Sequence, residues 1–252
     1  MFAPLARLLP HRRRDPWTAP GPLDGLRLGP AAGGAARQLV VLLHGRGVDA
    51  GDLRHAVPVL ARALPHAAFA LPHAPNRAAG TQGGREWFTD PQRARLAGNP
   101  DRAAERSARR AAGGRAAAPL VDAFIDAERA RLGLDDLEYP DARLALFGFS
   151  QGCRLALQVG LRRRDCAAIL GYCGGLDAPG RLAAEIVSRP PVLLCHGAWD
   201  PVVPLAAQDE AAAALRAAGV VVTALVRPHL EHALDADGLA AGAALLARTL
   251  AG

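Results

Sequence analysis

The chain has 252 residues, half of them hydrophobic but only 4% aromatic, which suits one sizeable aliphatic core and leaves no apolar run long enough to cross a bilayer. Its formal charge of +6 sits in two places: residues 1–35 carry a net +3, residues 93–115 a net +5, and the rest is near −2. All 30 Lys and Arg positions are arginine, so the excess reads as a solvated, compositionally biased surface and argues against nucleic-acid or anionic-membrane binding, while the lack of a long apolar run argues against integral membrane association.

Residues 1–35 are read as a proline-rich arm with an edge strand at Leu26-Arg27-Leu28, and residues 36–252 as the folded domain. In the arm, Arg12, Arg13 and Arg14 follow the apolar segment instead of preceding it, the reverse of a secretory leader. Gln38–Leu43 is a continuous apolar run, as a strand covered on both faces requires. It ends in His44-Gly45-Arg46-Gly47, and a helical pattern follows over 52–64. A strand is expected over 67–71, then a Pro/Gly-rich loop leading to Arg85-Glu86-Trp87-Phe88. Residues 91–115 read as an irregular or partly helical Arg/Ala-rich excursion. The spacing of Leu120, Phe124, Ala127 and Arg131 predicts an amphipathic helix over 117–132. Further strands are expected over 143–149, 167–172, 191–196 and 220–226, with helices over 151–163, 205–218 and 238–250. This alternation predicts a mostly parallel sheet with helices on both faces.

The pattern Gly148-Phe149-Ser150-Gln151-Gly152 lies between a predicted strand and a predicted helix. A tight turn there projects the serine hydroxyl above the sheet edge, and small residues two before and two after it let strand and helix approach closely. A serine hydroxyl is a poor nucleophile at neutral pH, so it needs an imidazole base and a carboxylate to fix that imidazole's tautomer. Asp200 and His232 end the next strands in the order Ser, Asp, His. His229, His196 and His44 also end strands and compete for the role of base. Two backbone donors should face the developing oxyanion: the N–H of Gln151 at the helix start and the N–H of Arg46 between its loop glycines.

One rival reading of that loop fails on its context. Gly45-Arg46-Gly47-Val48-Asp49-Ala50 matches a dinucleotide-binding pattern, but the next strand ends Leu71-Pro72-His73-Ala74, with no acid for a ribose. The four cysteines, Cys153, Cys166, Cys173 and Cys195, show no paired spacing for zinc and read as buried, reduced thiols. No metal or cofactor is implied.

With these residues assembled, the chain resembles the carboxylesterase/phospholipase group of the α/β-hydrolase superfamily, which includes the acyl-protein thioesterases. The resemblance runs from about residue 38 to 250 and rests on five stretches. These are Leu43-His44-Gly45-Arg46-Gly47, Arg85-Glu86-Trp87-Phe88, the Gly148–Gly152 motif, His196-Gly197-Ala198-Trp199-Asp200-Pro201-Val202-Val203-Pro204, and His232. It implies an α/β-hydrolase fold, the triad Ser150, Asp200 and His232, and an oxyanion hole from the N–H groups of Arg46 and Gln151. It favours His232 over His229, because an aliphatic residue follows His232 at the second position. Arg46, Glu231, Cys153 and Trp199 depart from the group's usual residues.

The activity expected is hydrolysis of small carboxylic esters, with short to medium acyl chains, through an acyl-enzyme. Trp87, Phe88, Leu176, Trp199 and Val202 are candidates for the substrate pocket. Two rivals stand beside this reading: an acyl thioesterase, and a non-catalytic binder with the hydrolase fold. A cytoplasmic location is expected from the sequence, and a homodimer from the resemblance.

Overall fold

The computed structural model describes residues 22–89, 100–135, 143–164 and 166–250. The long apolar runs all become strands: β1 (Gly25–Leu28), β2 (Gln38–Leu43), β3 (Ala67–Pro72), β6 (Leu144–Phe149), β7 (Ala168–Tyr172), β8 (Val192–Gly197) and β9 (Val222–Arg227). They form a seven-stranded sheet in the order β1-β3-β2-β6-β7-β8-β9. Only β1 runs antiparallel, pairing along β3 at the edge; every other neighbouring pair is parallel. A short ribbon of β4 (Asn76–Arg77) and β5 (Arg85–Glu86) stands apart from the sheet.

Side chains alternate along each strand, so every central strand feeds two cores. From β2, Leu39, Val41 and Leu43 join one core with helices α2 (Pro100–Leu132), α3 (Gln151–Gly160) and α5 (Ala206–Ala217). Val40 and Leu42 join the other with α1 (Val57–Ala63), the 3-10 turn Ala50–Ala56 before it, and α6 (Ala236–Leu250). A small helix, α4 (Leu182–Glu185), follows β7. The fold is the α/β-hydrolase type that the sequence pattern anticipates, with helices on both faces of a mostly parallel sheet.

Two expectations need correction. Residues 100–115 are not an irregular excursion: they form the first half of α2, which continues through Pro119 to Leu132. Ala and Arg are strong helix formers, but a segment with so little apolar contrast shows no periodicity to read. Residues 91–99 of that excursion lie outside the described residues, as do residues 1–21 of the arm. The inward face of α2 is also set by Ala117, Val121, Phe124 and Ile125, while Leu120 is exposed. On the same helix, buried Glu128 receives Arg27 Nε at 2.6 Å, and the Arg27 guanidinium lies 5.5 Å from the Phe124 ring. That pairing fastens the edge strand β1 to α2.

Candidate active site

β6 delivers Ser150 to the carboxyl edge of the sheet, and α3 starts at the next residue. Ser150 has φ 55° and ψ −113°, a sparsely populated conformation that costs on the order of 1–3 kcal/mol for a residue with a Cβ. Its surroundings impose it. Ser150 N donates to Tyr172 O at 2.8 Å, and Ser150 O accepts from Cys153 N at 3.1 Å. The flanking glycines cannot be larger: a Cβ on Gly148 would lie 2.3 Å from Gly152 O, and one on Gly152 would lie 1.9 Å from Leu43 O.

Asp200 lies after β8, its carboxylate fully buried and met by three hydrogen-bond donors. Oδ1 accepts the N–H groups of Val202 and Val203, each at 2.8 Å. Oδ2 lies 2.7 Å from His232 Nδ1 and 3.1 Å from His196 Nε2. A carboxylate only accepts, so His232 carries its proton on Nδ1 and presents Nε2 as the basic nitrogen. The Phe149 ring packs on the His232 ring at 4.9 Å, tilted by 50°.

Ser150 and His232 line one cleft of about 410 Å³ with Gly45, Arg46, Val48, Asp52, His55, Phe149, Ala233 and Leu234. This brings together two of the sequence-predicted catalytic residues, with Asp200 behind His232. His229 is elsewhere: it has φ 62° and packs edge-on against exposed Trp199 at 4.6 Å.

The loop after β2 forms another wall. His44 Nδ1–H donates to Gly45 O at 2.7 Å, and Nε2 accepts from Ala74 N at 3.0 Å, so the buried ring is neutral on both counts. Burial lowers its pKa to about 4. The His44 carbonyl in turn accepts the Trp87 indole N–H at 2.9 Å. Gly47 has φ +90°, a left-handed turn conformation, and its N–H donates to Arg85 O at 2.8 Å. Between the glycines, Arg46 lines the cleft and its side chain is tied down. Arg46 Nε donates to buried Glu86 Oε2 at 2.7 Å and Nη2 to Ala79 O at 2.9 Å.

Gln151 does more than its backbone suggests. Its side-chain Oε1 accepts from Trp87 N at 2.9 Å and Nε2 donates to Phe88 O at 2.7 Å. The amide thus clamps the segment 86–89 onto the start of α3. Sequence reasoning missed this bond, and it also missed Asp52, His55 and Leu234 in the cleft wall.

The pocket residues expected from sequence do not line this cleft. Trp87 and Phe88 are core residues, the first tethered through its indole to His44 and the second packed where a Cβ on Gly113 would lie 2.7 Å from its ring. Leu176 packs on the same core. Trp199 is 60% exposed against His229, and Val202 supplies its backbone N–H to Asp200.

One trio among the described residues offers metal-ligand atoms within 4.8 Å of one another: Cys173, Asp200 and His232. Its atoms are engaged otherwise. The Cys173 thiol donates to Ala233 O at 3.4 Å and burial pushes it up to about 12, while His232 and Asp200 share a proton. None of the four cysteines is in a disulfide.

The sequence matches the family model described as Phospholipase/Carboxylesterase over residues 31–249. Among solved structures, esterase PE8 is similar at 36% identity, covering 90% of this chain and 99% of its own, with a TM-score of 0.79. SOBER1 of Arabidopsis thaliana shares the fold at 23% identity, over 85% of this chain and 100% of its own, with a TM-score of 0.71. Acyl-protein thioesterase 2 of Zea mays does so at 20% identity, over 89% of this chain and 97% of its own, with a TM-score of 0.60. No curated protein sequence matches the chain.

Proposed function

The chain belongs to the phospholipase/carboxylesterase family of hydrolases, and we propose that within it the protein is a serine esterase working through an acyl-enzyme on Ser150. The observation that carries this reading is the bond from His232 Nδ1 to Asp200 Oδ2 at 2.7 Å, made by a histidine that shares a cleft with Ser150. That bond leaves Nε2 as the proton acceptor.

In the reaction so inferred, Ser150 Oγ attacks the ester carbonyl as His232 Nε2 takes its proton. Asp200 stabilises the imidazolium without itself becoming protonated. The backbone N–H groups of Gln151 and Arg46 stabilise the oxyanion, with the positive end of α3 adding to the field. His232 then protonates the departing alcohol, activates a water on the acyl-enzyme, and returns the proton to Ser150. Apart from the hydrolytic water, these steps use only groups of the polypeptide. The substrate is a small carboxylic ester.

A fluorophosphonate probe tests the reading. Labelling of the wild-type protein, lost in Ser150→Ala, supports it, and a wild-type protein that takes no label refutes it. Turnover of p-nitrophenyl esters against acyl thioesters of the same chain length separates an esterase from a thioesterase. Hydrolysis of PE8's kind is the nearer expectation, since that relative is named an esterase.

A further inference from the structure

Besides His232, the charged or titratable residues that line the Ser150 cleft are Arg46, Asp52 and His55. From sequence, Arg46 beside the oxyanion loop suggests a cationic cleft. The structure removes that charge: the Arg46 guanidinium is paired with Glu86, itself only 4% exposed, and bonded to the Ala79 carbonyl. Asp52 is in the opposite situation. It stands exposed on the 3-10 turn Ala50–Ala56, and among the described residues no hydrogen bond or ion pair engages its carboxylate.

The turn that carries Asp52 is fixed in place. Leu53 and Ala56 are buried beneath it, and Asp49 caps its start by accepting Gly51 N at 2.7 Å. His55 Nδ1 lies 2.8 Å from the Asp52 carbonyl, so that nitrogen carries a proton and, in the neutral ring, Nε2 offers a lone pair. The wall therefore offers a carboxylate and, from the neutral imidazole, an acceptor nitrogen, and among its described residues no unpaired arginine. Phe149 adds an aromatic ring to the same cleft, and an aromatic face attracts cations.

Resting on the esterase reading, we propose that the Ser150 cleft selects esters that carry a cationic ammonium group, with Asp52 as the specificity-determining residue. Anionic esters are the disfavoured class, because Arg46 is spent on Glu86. The pair is exposed, so selection should be modest, about three- to fivefold between a cation and its neutral isostere.

The test compares competitive inhibition of p-nitrophenyl acetate hydrolysis by choline and by its neutral isostere 3,3-dimethylbutan-1-ol. Assays run at pH 8, where an imidazole is ordinarily neutral. The cation should inhibit about three- to fivefold more tightly in the wild-type protein, and about equally with its isostere in Asp52→Asn. Asp52→Lys should invert the preference. Salt at 1 M should erase it, because the screening length there is about 3 Å. Equal inhibition constants in the wild-type protein overturn the proposal, as does a preference that survives Asp52→Asn. Saturation-transfer NMR with the same two ligands on Ser150→Ala reads the selection without any turnover. A protein that binds choline selectively yet cleaves no ester would refute the esterase reading alone.

Discussion

His196 Nε2 lies 3.1 Å from Oδ2 of Asp200, the same oxygen that receives His232 Nδ1–H. The Val203 carbonyl lies 2.9 Å from the same His196 nitrogen. With a carboxylate and a carbonyl both facing it, Nε2 must carry the proton. That proton goes to the Val203 carbonyl, so His196 holds the loop whose Val202 and Val203 N–H groups fix Asp200, and it acts on the proposed reaction only through His232. His196→Phe should lower kcat about tenfold with little change in KM, the signature of a loss confined to the transition state. His196→Gln, which can present a donor there, should recover part of it. Steady-state kinetics on a p-nitrophenyl ester checks both.

Gln151 joins the start of α3 to the segment that carries Trp87. Replacing it with Leu keeps the size and the backbone N–H but leaves Trp87 N and Phe88 O without their partners at 2.9 and 2.7 Å. Two buried groups lose a hydrogen bond, so Gln151→Leu should destabilise the fold by about 2–4 kcal/mol. Urea denaturation with an unchanged slope would report it.

His44 predicts an acid sensitivity. Burial is the main cause of its low value, about 4 against the ordinary 6.5, with His73 and Arg85 pushing the same way and the Gly45 carbonyl and Asp49 opposing. Between those values the unfolded chain takes up a proton that the native state refuses. Stability is therefore full above pH 6.5 and falls as the pH drops toward 4, by about 3 kcal/mol in total. His44→Gln, whose side-chain oxygen can accept from Ala74 N, should flatten this part of the stability curve. Denaturation midpoints at half-unit pH steps from 7 to 4 would show it.

Gly152→Ala is the most damaging small change expected. Its methyl carbon would lie 1.9 Å from Leu43 O and 2.7 Å from His44 O, both backbone atoms. The two elements would have to separate, so a loss of more than about 4 kcal/mol is expected. Thermal unfolding of the purified variant, or its failure to yield folded protein, measures the effect.

These residues also mark what could be read in the sequence. β2, β6 and β8 announce themselves as apolar runs with polar ends, because a strand buried on both faces leaves no other pattern. The elbow carries its own signature, since only glycine fits at 148 and 152. The Asp200 and His232 pairing follows from their order along the sheet. Other features depend on which way a side chain turns. Trp87 and Phe88 look alike as pocket walls or as core, and the bonds to His44 and Gln151 that decide it span 43 and 63 positions. The first half of α2 is hidden for a different reason: a segment of Ala, Arg and Gly gives helix propensity without contrast. Asp52 and His55 look like ordinary surface residues until the turn that carries them is seen beside Ser150.

The glycine contacts behind Ser150 bear on how the protein fails. Leu43 belongs to β2 and Gly152 to α3, and their backbones touch under Ser150 without an intervening side chain. No side chain at that joint can change rotamer to let the serine relax alone. Local breathing at the site is therefore coupled to parting a central strand from its covering helix. The Cys153 amide, which donates to Ser150 O at 3.1 Å, should exchange with deuterium only through openings nearly as costly as global unfolding, and the Ser150 turn should persist up to the melting transition and vanish with it.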